Sequence, residues 1–63
     1  MFLNLTSFKK PVIVNVDLIT TIQPKYLDNK EFTEITMADS GQIMVEQSIS
    51  YITNLLTHLI IRV

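Results

Sequence analysis

The groups in this chain that could do acid–base or nucleophilic chemistry are one histidine, six carboxylates and Ser48, the serine that precedes a long apolar stretch. His58 is the residue whose ordinary titration range lies near neutrality, which suits a general base or a metal ligand. Its neighbours at helical spacing are Asn54, Leu55, Ile61 and Arg62, so no carboxylate or nucleophile stands one turn away. The expectation for His58 is a polar residue late on a helix, where an imidazolium also favours the exposed carbonyls.

The carboxylates Glu31, Glu34, Asp39 and Glu46 offer one candidate pair, Glu34 and Glu46, if they face each other across a hairpin. Like charges there repel unless a cation lies between them, so solvated strand positions are expected. Ser48 lacks a nucleophile-elbow motif and reads as a helix N-cap. A single glycine rules out a glycine-rich phosphate loop. Without cysteine there is neither a disulfide nor a thiolate metal site. The expectation is a non-enzyme with no catalytic residue, cofactor or metal.

The elements that carry these groups belong to a chain of 63 residues, which allows one domain, 1–63. A chain this short buries only about 60% of its unfolded surface. With disulfides excluded, oligomerisation is the expected source of extra stability. The hydrophobic share is 48% and the charged share 17%, against about 25% charged in ordinary domains. This composition excludes a disordered chain. Net charge is −1, without the basic stripe that a nucleic-acid module needs. No signal peptide or membrane span is expected, and the absence of cysteine fits a cytoplasmic protein.

Phe2–Thr6 and Val12–Val16 alternate or are β-branched, as two hairpinned strands would be. The predicted connection is Ser7-Phe8-Lys9-Lys10. Asn15 or Asp17 is expected to bond backbone amides in a tight turn over Asn15–Ile19. Thr20–Gln23 is predicted extended, Pro24 marks an edge or bulge, and Lys25–Glu31 is read as a loop tip. Phe32–Met37 and Gln42–Glu46 flank Asp39-Ser40-Gly41, the clearest turn signal. The predicted fold class is α+β: a small antiparallel sheet of four or five strands followed by one amphipathic C-terminal helix, Ile49–Val63.

That helix is unusual because every side chain between Glu46 and Arg62 is apolar or neutral apart from His58. Its core stripe is expected to be Ile49, Ile52, Leu56, Leu59, Ile60 and Val63, with Tyr51 and Leu55 outside it as a second contact surface. On the strands, Leu3, Leu5, Val12, Val14, Ile35, Ile43 and Val45 are expected to face the helix. Phe2, Ile13, Phe32 and Met44 would then face away, leaving either a small barrel or a back face covered by another subunit. The second arrangement is preferred. The expected interface is therefore Tyr51, Leu55, Phe2, Ile13, Phe32 and Met44.

Several motifs together resemble the small FlbD family of flagellar-operon proteins. They are Leu5-Thr6, Val14-Asn15-x-Asp17-Leu18-Ile19-x-x-Ile22, Thr33-x-Ile35-Thr36, Gly41, and Val45-Glu46-x-Ser48-Ile49 before a terminal helix. The resemblance implies a small accessory protein without catalytic residues. The neutral helix and the glycine-free first turn would make it a divergent, phage-borne or otherwise mobile relative. The leading expectation is a homo-oligomer that binds a partner protein and modulates it. An alternative is an oligomer that sequesters a small polar ligand such as a nucleotide, lined by Thr53, Asn54, Thr57 and His58 with Lys9, Lys10 or Arg62. A nucleic-acid-binding regulator ranks last on charge.

Overall fold

Two hairpins with nearly identical turns organise the chain. In the computed structural model, which describes the backbone of residues 1–60 and the side chains of residues 1–58, β1 (Phe2–Ser7) pairs antiparallel with β2 (Lys10–Asn15). A 3-10 turn, Val16–Leu18, leads into β3 (Ile19–Leu27), which pairs with β4 (Lys30–Met37), and β4 pairs with β5 (Gly41–Val45). The helix α1 follows at Ile49–Ile60. The class is α+β as expected, but the five strands divide into a two-stranded sheet, β1-β2, and a three-stranded sheet, β3-β4-β5.

Each of the first two turns has only two residues. Phe8 and Lys9 take φ of 49° and 67°, and Asp28 and Asn29 take 50° and 64°. Positive φ at both positions is the type I′ pattern that matches the twist of paired strands. Asp and Asn tolerate this conformation, so Lys25–Glu31 is mostly strand, with only Asp28-Asn29 as its turn. The third turn closes on Gly41, whose φ is 85°. A Cβ there would meet nothing within 4 Å, so its constraint is conformational, not steric.

Asn15 caps the 3-10 turn by accepting from the Asp17 amide at 3.1 Å, one of the two arrangements expected from sequence. Ser48 caps α1, its Oγ accepting from the Tyr51 amide at 3.1 Å.

The core consists of Leu3, Leu5, Val14, Ile35, Met37, Val45 and Ile52. Strand alternation delivers the sheet residues: the inner face of β4 presents Thr33, Ile35 and Met37. On α1, Ile52 is fully buried, while Leu55 and Leu56 are both half-buried against the core. Leu55 therefore packs in part against the core of its own chain, and is not wholly free on the outer surface. Leu59, Ile60 and Val63, also assigned to the core stripe from sequence, have side chains outside the described residues.

The two sheets meet where β5 passes β1. The Glu46 amide donates to the Thr6 carbonyl at 2.8 Å, and the Ser7 hydroxyl donates to the Met44 carbonyl at 2.7 Å. In a two-residue hairpin the residues flanking the turn form a hydrogen-bonded pair, and pairs then alternate outward. Counting from Ser7↔Lys10 and Leu27↔Lys30 puts Thr6↔Pro11 and Pro24↔Thr33 at non-bonded positions. The backbone of Thr6 thus points towards β5, as its bond to Glu46 requires. The nitrogens of Pro11 and Pro24 point away from their partner strands, along the outer sides of β2 and β3. Proline there removes a donor that another strand would need.

Candidate functional site

Two surfaces hold residues singled out by sequence, the outer side of α1 and the outer face of the first hairpin, and a third lies between the hairpin tips. Glu34 lies opposite Met44, not Glu46, and accepts from the Gln23 side chain at 2.7 Å. Glu46 instead accepts from the Lys9 amide at 2.6 Å, tying down the first turn. The expected carboxylate pair is therefore not brought together. Among the described residues no group of three His, Asp or Glu side chains could hold a metal ion. Thr53, Asn54, Thr57 and His58 are all exposed on α1.

The second surface is the outer face of the β1–β2 hairpin. Phe2 is opposite Asn15, and Ile13 is opposite Asn4, so Phe2 and Ile13 are diagonal neighbours on one face. Their relative exposures are 65% and 70%, and Tyr51 on α1 stands at 52%. The hairpin thus leaves an aromatic and a β-branched side chain exposed side by side. Met44 is half-buried.

Phe32 departs from the expected interface. It does face outward with Glu34 and Thr36, on the side of β4 opposite Ile35. Yet it is buried, because Phe8 on the first turn lies over it with ring centroids 5.3 Å apart and planes tilted by 39°. Part of the back face is thus covered from within the chain. Left-handed backbone costs roughly 1–2 kcal/mol at a residue such as Phe8. An aromatic contact contributes about 0.5–1.5 kcal/mol beyond the burial it provides, and burying Phe32 contributes about 1.5–3 kcal/mol. The ring contact thus offsets the left-handed backbone at Phe8.

The third surface is the hollow beside that aromatic pair, of about 220 Å³, lined by Phe8, Leu27, Asp28, Lys30 and Phe32. Sequence reasoning missed it, since it needs the two hairpin tips side by side. Lys25 is directly opposite Phe32 and shares its face.

Gln47 was also missed. Its Oε1 accepts from the Thr6 amide at 3.0 Å, its Nε2 donates to Thr6 Oγ1 at 3.2 Å, and its carbonyl accepts from the buried Thr33 hydroxyl at 2.7 Å. One residue so fixes β1, β4 and the start of α1 relative to each other. No known family model matches the sequence, and no characterised protein or solved structure is significantly similar to it. No described helix is long and apolar enough to cross a membrane.

Proposed function

We propose that this chain is a small non-enzymatic accessory protein that assembles with copies of itself and binds a partner protein to modulate it. The observation that carries this reading is the exposed Phe2–Ile13 pair on the outer face of the first hairpin. The prolines on β2 and β3 oppose assembly by strand addition, so packing of faces is the route left open. The short motifs that resemble those of FlbD proteins would imply the same kind of accessory role.

Magnitudes set the expected strength. Covering Phe2 and Ile13 from each of two copies contributes roughly 6–12 kcal/mol, at about 1.5–3 kcal/mol per side chain. Association costs about 4–15 kcal/mol. Self-association through these two side chains alone therefore reaches the micromolar range only at the favourable end of both ranges. Native mass spectrometry of the protein purified from its own host tests the reading. A multimer retaining a second protein supports it, and a bare monomer that carries a small ligand or nucleic acid contradicts it.

A further inference from the structure

We draw no further inference here: the strongest candidate, the hollow between the two hairpin tips, is bordered by charges of both signs, Asp28 and Lys30, and nothing in the structure shows what covers it.

Discussion

Gln47 grips Thr6 at two points, accepting from its amide and donating to its hydroxyl, across 41 residues of sequence. The carbonyl of Gln47 receives the Thr33 hydroxyl. The start of α1 is thereby bonded to both sheets. Gln47→Ala should destabilise the chain by about 1–3 kcal/mol, since it strands a part-buried donor as well as removing bonds. In a double-mutant cycle with Thr6→Val, chemical denaturation should give a coupling of at least about 0.5 kcal/mol. Strict additivity would mean that the two side chains do not act together.

The turn residues Phe8 and Lys9 should respond in opposite directions. Lys9→Gly relieves left-handed backbone at an exposed side chain and should stabilise by up to about 1 kcal/mol, after the entropic cost of glycine. Phe8→Asn also suits the turn but uncovers Phe32, so a net loss of about 1–2 kcal/mol is expected. Thermal unfolding of both variants reads the signs. A stabilising Phe8→Asn would show that the ring contact adds little.

Helix anchoring centres on Ile52. Ile52→Ala should cost about 2–5 kcal/mol, because the side chain is fully enclosed. Ser48→Ala should cost about 1 kcal/mol, the usual value of an N-cap. Leu56, the residue nearest the centre of the stripe drawn from sequence, is only half-buried, so Leu56→Ala should cost less than Ile52→Ala. Circular dichroism in denaturant ranks the three.

Pro11 and Pro24 make the free edges unattractive to other strands. Pro11→Thr with Pro24→Thr restores an outward donor on each. Light scattering should show larger, concentration-dependent species for the double variant than for the parent. An unchanged size distribution would mean that the edges are protected by something other than the prolines.

Local signals in the sequence read through cleanly. Asn15 as one of two candidate turn caps, Gly41 at positive φ and Ser48 as N-cap each depend on neighbours within a few residues. The alternation of Leu3-Leu5 and of Ile35-Met37 set the buried faces for the same reason. What did not read through is long-range or breaks a rule of composition. The Phe8-Lys9 turn adopts a conformation normally left to glycine or asparagine, so its two-residue length was hidden. That turn then places Phe8 over Phe32 and creates the hollow, which no spacing along the chain encodes. The bonds from Gln47 to β1 and β4 are equally invisible, and with them the division of five strands into two sheets.

Sedimentation velocity tests whether the chain self-associates through the Phe2–Ile13 face. The parent chain, 7.2 kDa as a single copy, should sediment as a dimer or larger species at tens to hundreds of micromolar and dissociate on dilution. Phe2→Glu with Ile13→Glu should hold it as a folded monomer, because a carboxylate without a partner is costly in an apolar contact but not in water. A parent chain that remains monomeric across that range, or a double variant that assembles as the parent does, would contradict the claim.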